Sequence, residues 1–282
     1  MQLNKYHGLG NDYLVIDPAD LPGELTEKQI RRLCNRRTGA GADGVLLGPL
    51  PATNADFGLR IFNPDGSEAE KSGNGLRIFA RSLWDRGLAS QAPCTIATAG
   101  GVVTAQVEPG GRLATVAMGQ VSFDSREIPV AGPPREVLNE TLLAGGVELR
   151  ICAATLGNPH CVVLCQEASA EAAQRLGPLI EADLRFPRRV NVQFMQVLDR
   201  AHVRLRVYER GVGETLACGT GACAAVVAGI RLGLLDDSVD VETRGGRLTI
   251  AWGDNAAHDA PVFMTGPATS VFEGEIDVPE LA

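Results

Sequence analysis

Two stretches of this 282-residue chain align without a gap: Arg60-Ile-Phe-Asn63 through Ser72-Gly-Asn-Gly75, and Arg206-Val-Tyr-Glu209 through Cys218-Gly-Thr-Gly221. The spacing is constant, with Ser72 and Cys218 standing 146 residues apart. At that spacing Arg60 matches Arg206, Phe62 matches Tyr208, Glu68 matches Glu214, and the closing [Ser/Cys]-Gly-x-Gly agrees at both glycines. A second correspondence, Leu9-Gly-Asn11-Asp-Tyr-Leu-Val-Ile with Leu156-Gly-Asn158-Pro-His160-Cys-Val-Val, falls at 147 residues. Two copies are too few for a solenoid and point to an internal duplication. Each copy offers a Gly-Asn turn into an apolar strand, then a strand, then a glycine turn opening a helix. The expected fold is α/β (α+β), with two pseudo-symmetric domains of mixed sheet around a central helix, the second beginning near residue 118.

The rest of the chain fits that plan. Residues 1–17 read as a strand following the Gly8-Leu-Gly-Asn11 turn. Thr26-x-x-Gln29 is a capping box, which predicts a helix over about 26–36. Gly39-Ala-Gly41-Ala-Asp-Gly44 has the letters of a dinucleotide-binding loop, but a helix precedes it and the strand Val45-Leu-Leu follows, the reverse of what that motif needs. It therefore reads as a turn. Strand 58–63 leads into the first glycine turn and a helix from Gly75 to about Arg86, ending at Gly87. Short strands follow, including Thr95–Thr98 and Val102–Val107, and Pro133-Pro134 is loop. The second copy repeats the order, with a helix from about 169, the strand Val190-Asn191-Val-Gln-Phe, a strand over 202–208 and a helix over Ala222–Leu232. That last helix is small and apolar on most faces, so it belongs at the centre of its domain.

Composition excludes several function classes. A formal charge of −8 argues against nucleic acid or an anionic membrane as partner. The basic pairs Arg36-Arg37 and Arg188-Arg189 read as solvated surface. No apolar run approaches the ~18 residues of a membrane helix, and the first residues have no signal core, so a cytoplasmic protein is expected. The seven cysteines are odd in number and lack framework spacing, which suggests reduced thiols. Cys161-x3-Cys165 beside His160 lies in an apolar strand-like run and reads as core, so no metal is expected. Cys34 and Cys152 read as small buried hydrophobes.

The two turns carry the chemistry. Each is followed at once by a helix, so the backbone N–H groups of Gly73-Asn74 and of Gly219-Thr220 are helix-end donors suited to an anion. The same field is expected to lower the thiol pKa of Cys218 and favour thiolate. If the halves face each other, Ser72 and Cys218 are opposed proton-carrying groups flanking an anion clamp. Removing a proton alpha to a carboxylate builds charge on the carboxylate oxygens, and preorganised donors there stabilise it. One group takes a proton from one face and the other supplies one to the opposite face, which inverts the centre without a cofactor.

His7-Gly-Leu-Gly-Asn-Asp-Tyr, Gly41-Ala-Asp-Gly-Val, Asn63-Pro-Asp-Gly-Ser-Glu-Ala-Glu, Gly157-Asn-Pro-His, Val190-Asn-Val and Glu209-Arg-Gly-Val-Gly-Glu-Thr-Leu-Ala-Cys-Gly-Thr-Gly-Ala together resemble the diaminopimelate epimerase family. The match covers nearly the whole chain, and its last block is highly specific. The resemblance implies a cofactor-free and metal-free epimerase that interconverts LL- and meso-diaminopimelate in lysine and peptidoglycan synthesis, usually a homodimer. It also implies a domain of residues 1–117 plus 263–282 and a second of 118–262, with the last strand returning to the first. The catalytic pair is then Ser72 and Cys218, tuned by His160 and Glu209. The substrate is bound by Asn11, Gly44, Asn63, Gly73, Asn74, Asn158, Asn191, Glu209, Arg210, Gly219 and Thr220. Chemistry agrees with this set: Glu209 suits a distal ammonium, Arg210 a distal carboxylate, and asparagines both donate and accept.

The chain departs from the family at Ser72, where a cysteine is the rule, at Lys71, commonly apolar, and at Gly44, often a glutamine. A serine hydroxyl is a weak acid that usually needs a neighbouring base. Three readings follow. The protein is a diaminopimelate epimerase, natural or with an engineered serine that forbids a disulfide. It is a sister racemase or epimerase whose Ser/Cys pair acts on another amino acid. Or it is a catalytically silent amino-acid-binding protein.

Overall fold

The computed structural model describes residues 1–21, 23–253 and 260–277. The chain divides into two compact units, one of Met1–Ala117 with Thr265 onward and one of Met118–Met264.

In the first unit β1 (Gln2–Gly8) and β2 (Asn11–Ile16) form a hairpin, followed by α1 (Glu27–Cys34), β3 (Val45–Leu50), β4 (Phe57–Phe62), β5 (Glu68–Ala69), α2 (Gly73–Asp85), β6 (Cys94–Thr98) and β7 (Gly101–Val107). β8 (Leu113–Gly119) runs out of it. The second unit holds β9 (Glu140–Ala144), β10 (Val147–Thr155), β11 (Pro159–Cys165), α3 (Ala170–Glu181), β12 (Asn191–Asp199), β13 (His202–Glu209), β14 (Gly213–Thr215), α4 (Gly219–Arg231), β15 (Ser238–Thr243) and β16 (Gly246–Trp252). β17 (Val262–Pro267) and β18 (Thr269–Glu275) close the described chain, and β18 pairs antiparallel with β1.

The sequence repeat is a repeat of pairing register. β2 lies parallel to β3 with Leu14 opposite Val45, and β11 lies parallel to β12 with Cys161 opposite Val192. β3 then turns antiparallel to β4 with Val45 opposite Phe62, and β12 to β13 with Val192 opposite Tyr208. The short strands follow suit, with Phe62 opposite Glu68 and Tyr208 opposite Glu214. A parallel strand comes next in each unit, pairing Phe57 with Ile96 and Val203 with Val241. The matched Arg and Glu are ion-paired in both units: Arg60 Nη2 to Glu68 Oε2 at 2.8 Å and Arg206 Nη1 to Glu214 Oε1 at 3.4 Å. Because a one-residue slip would turn every side chain to the wrong face, such agreement needs the same buried pattern in both copies.

Local chemistry explains the elements around the site. Thr26 and Gln29 close the capping box of α1, whose Ile30, Leu33 and Cys34 form one buried face against Leu14, Val45 and Phe62. Leucine-sized side chains contribute about 2 kcal/mol each when removed from water in this way. Both turn-borne helices are more deeply buried. α2 buries Leu76, Ile78, Phe79, Ala80 and Leu83, and α4 buries every residue from Gly221 to Ile230. Ser169 caps α3, which packs Ala173, Leu176 and Ile180 into the second core with Val163 and Phe194.

Two expectations need correction. The first seventeen residues are two strands, not one, because Leu9 and Gly10 both adopt positive φ (58° and 89°) and make a tight hairpin. Arg36 is more than solvated surface: it donates to Asp12 at 3.0 and 2.6 Å and to Asp43 at 2.6 Å. Cys34 and Cys152 are buried, while Cys161 and Cys165 face the second core. Among the described residues no helix is long and apolar enough to cross a membrane, and no group of three or more His, Cys, Asp or Glu is placed to hold a metal.

Candidate active site

In the first unit Ser72 is the N-cap of α2, its Oγ accepting from Gly75 N at 3.1 Å. Tyr13, from the middle of β2, brings its Oη within 3.1 Å of the same Oγ. Tyr13 needs room for its ring, and Gly44 provides it: a Cβ there would lie 2.6 Å from Tyr13 Cε1 and 2.4 Å from Phe62 O. The Gly73 and Asn74 N–H groups lie in the first turn of α2, where a helix offers no internal acceptor. Asn74 is fixed from two sides. Its Oδ1 accepts from Arg77 Nη2 at 2.8 Å and its Nδ2 donates to Asn11 Oδ1 at 3.2 Å. Asn11 in turn donates to Asp43 at 3.0 Å. Beneath them burial alone would raise the Asp12 carboxyl, but hydrogen bonds from Arg36 and Lys5 hold it well below the ordinary range. Asn63, at the turn between β4 and β5, instead donates to Ser67 Oγ at 3.0 Å.

In the second unit Cys218 takes the equivalent N-cap of α4, with the Gly221 N–H favouring its thiolate more weakly than burial opposes it. Sγ lies 3.5 Å from Thr220 Oγ1, which accepts from Asn158 Nδ2 at 3.2 Å. Asn158 Oδ1 meets His160 Nε2 at 3.0 Å. Since that amide oxygen can only accept, the imidazole carries its proton on Nε2. His160 is fully buried, and burial pushes its pKa down to about 3, with Gln193 opposing and Arg210 assisting. It is therefore a neutral imidazole that reaches the thiol through Asn158 and Thr220. Gly221 allows α4 to settle on Gln193, whose Nε2 would lie 2.6 Å from a Cβ there.

Glu209 accepts from Thr215 Oγ1 at 2.6 Å, and its carboxyl is raised by burial, against hydrogen bonds from Thr215 and Cys218. Asn191 braces the following turn, accepting from Arg210 N at 3.0 Å and donating to Pro159 O at 3.1 Å. The Arg210 guanidinium donates to Arg188 O at 3.0 Å.

The electrostatics of Cys218 reverse the expectation of a stabilised thiolate. Burial is the largest cause, the Glu209 charge comes next, and together they raise the thiol well above its ordinary value despite the Thr220 hydroxyl. The thiol at this helix terminus is only 7% exposed, and its removal from water is the largest cause of the shift. Sequence reasoning also passed over Tyr13, Arg77 and Thr215. Tyr13 stands inside a motif already singled out, and Arg77 is the one cation among the apolar residues Leu76–Ala80, so both left a signal.

An α+β fold built twice over, with a helix capped by a hydroxyl or thiol inside each copy, describes this chain, and solved structures share the fold. A probable proline racemase from Agrobacterium radiobacter K84 superposes with a TM-score of 0.69 over 98% of this chain and 93% of its own, at 17% identity. The Bacillus anthracis phenazine biosynthesis protein of the PhzF family does so with a TM-score of 0.69 over 99% of both chains, at 20% identity. The model of the diaminopimelate epimerase family matches residues 3–123 and 152–271. "Diaminopimelate epimerase 2" of a Nostoc species is 49% identical over 98% of this chain and 95% of its own. The diaminopimelate epimerase of Thioalkalivibrio sulfidiphilus is 49% identical over 99% of both. The chain belongs to the diaminopimelate epimerase family and is an isomerase of amino-acid biosynthesis.

Proposed function

We propose that the protein inverts one α-carbon of diaminopimelate, converting the LL form to the meso form, with Cys218 and Ser72 as the two proton carriers and no cofactor. The observation that carries this reading is the pair of equivalent helix N-caps, Ser72 on α2 and Cys218 on α4, in a chain 49% identical to proteins named for that activity. The N–H groups of Gly73-Asn74 and Gly219-Thr220 hold the reacting carboxylate and stabilise it as the α-proton leaves. Asn11, Gly44, Asn63, Asn158, Asn191, Glu209 and Arg210 recognise the rest of the substrate.

The raised thiol has a role in this scheme. Before substrate arrives, burial and the Glu209 charge hold the Cys218 thiol above its ordinary value. A substrate ammonium paired with Glu209 cancels the negative charge that, after burial, raises the thiol, so binding itself eases ionisation. His160, neutral and buried, orients Asn158 and through it Thr220 beside the sulfur.

The test is incubation with LL-diaminopimelate in D2O, following stereochemistry and deuterium at the α-carbon together. Inversion with deuterium incorporation is expected. Exchange without inversion means Cys218 works and Ser72 does not complete the transfer. Ser72 also supports a second reading, a sister epimerase for another amino acid, since its hydroxyl is engaged by Tyr13 and Gly75. Inversion of another amino acid and not of diaminopimelate selects that reading. Calorimetric binding with neither inversion nor exchange selects a silent binding protein.

A further inference from the structure

Ser72 is the weak point of a two-carrier mechanism, because an isolated serine hydroxyl neither gives up nor takes a proton readily near neutral pH. The structure surrounds it unequally. Gly75 N–H fills one lone pair of Oγ at 3.1 Å, leaving one further lone pair and the single hydroxyl hydrogen. Tyr13 Oη, 3.1 Å away, engages one of these, and either oxygen is able to carry the proton between them. Tyr13 is 7% exposed, and its hydroxyl meets Ser72 in a partly buried contact beside the N-cap.

We propose that Tyr13 is a positioning residue that relays protons through Ser72, so that the proton carrier of the first unit is a Tyr13–Ser72 pair. The inference rests on the reading of Ser72 as a proton carrier. When Ser72 O–H delivers its hydrogen to the α-carbanion, a C–H bond forms and an O–H bond breaks. Tyr13 O–H then passes its hydrogen to Ser72 Oγ, leaving a phenolate and restoring the serine. In the opposite direction the phenolate takes the serine hydrogen as Oγ takes the α-hydrogen. No electrons change hands, and one proton moves at each bond. The pair thereby backs the serine hydroxyl with a phenol, a group that gives up its proton far more readily than an alkyl hydroxyl.

Gly44 belongs to the same device. Phe62 O and the Tyr13 ring both occupy the space a Cβ would take, so a side chain at 44 and Tyr13 in this pose exclude each other. The changes at 44 and 72 are then linked through a third residue: dropping the side chain at 44 admits the ring whose hydroxyl serves the serine.

The experiment compares parent, Y13F, S72C and Y13F/S72C proteins, measuring diaminopimelate inversion, deuterium wash-in and the pH profile of kcat/KM. Phenylalanine keeps the ring over Gly44, and thermal unfolding checks that each variant is folded. Y13F is expected to slow inversion at least about 100-fold and to remove one limb of the pH profile of kcat/KM. In the S72C background, where a thiol carries its own proton, the same change is expected to cost at least about tenfold less. Y13F within threefold of the parent overturns the proposal, and so do equal losses in both backgrounds or an unmoved pH profile. A parent protein that neither inverts nor exchanges diaminopimelate removes the functional reading and this inference with it. Parent inversion with an indifferent Y13F removes the inference alone.

Discussion

Arg77 Nη2 donates to Asn74 Oδ1 at 2.8 Å from a side chain with no solvent exposure, one helical turn behind the N–H groups of Gly73 and Asn74. The guanidinium also reaches Gly73 O, at 3.4 Å, so one buried cation holds the first turn of α2 from within. Arg77→Met keeps most of the volume and removes these bonds. A loss of about 2 kcal/mol is expected, the scale of hydrogen bonds to a charged group, read from urea unfolding. The rate of inversion falls with it, since Asn74 loses one of its two anchors. Unchanged stability and rate would show that Arg77 only fills space.

Glu209 is the second cause of the raised thiol at Cys218, after burial. Glu209→Gln removes the charge and leaves burial in place. Alkylation of Cys218 by iodoacetamide, followed by mass spectrometry at increasing pH, is expected to need alkaline conditions in the parent. The profile moves to lower pH by about one unit in the variant, the scale of a nearby charge removed. A shift upward would overturn the reading that the Glu209 charge raises the thiol.

His160 makes stability depend on pH. Its folded pKa, depressed to about 3 by burial, lies below the ~6.5 of an unfolded histidine, so the unfolded chain binds the extra proton first. Stability from this group is therefore complete above about pH 6.5 and is lost as pH falls toward 3. Between pH 7.5 and 5.5 the loss amounts to about 1 kcal/mol. In His160→Gln that part of the pH dependence is expected to vanish, as measured by urea unfolding at the two values.

The duplicated ion pairs are unequal. Glu68 is 33% exposed and faces Arg60, whereas Glu214 is 9% exposed and faces both Arg206 and Arg244. Glu68→Gln should cost about 0.5 kcal/mol, as for surface pairs. Glu214→Gln should cost more, about 1–2 kcal/mol, because a carboxylate only 9% exposed serves two cations at once, although Arg206 and Arg244 themselves keep 26% and 44% exposure. Equal costs in thermal or urea unfolding would show that register, not charge, holds both short strands.

Much of the fold was readable because register and repeat are the same information. Leu14 opposite Val45 and Cys161 opposite Val192 follow from two copies of one buried pattern, and Thr26 with Gln29 marks a helix start by local chemistry alone. The turns at Ser72 and Cys218 were readable for the same reason. What escaped depends on depth. The field of a helix end is a local property, but the exposure of Cys218 is set by strands and helices far off in sequence, and burial reversed the sign. Arg36 read as surface because its partners Asp12 and Asp43 come from a strand and a turn that only the fold brings beside it. Tyr13 and Ser72 likewise meet only when β2 packs beside the start of α2.

The shared register of the two units has a practical consequence. Position for position, each copy serves as the matched control for the other within one polypeptide, at equal concentration, temperature and buffer. An isotopic label on Gly75 and Gly221 reads a backbone amide in the same helical setting twice. The first reports a hydroxyl that closes the cap at 3.1 Å, and the second a thiol in the equivalent place. The difference between the two signals as pH or substrate changes is the response of oxygen against sulfur, with the scaffold subtracted.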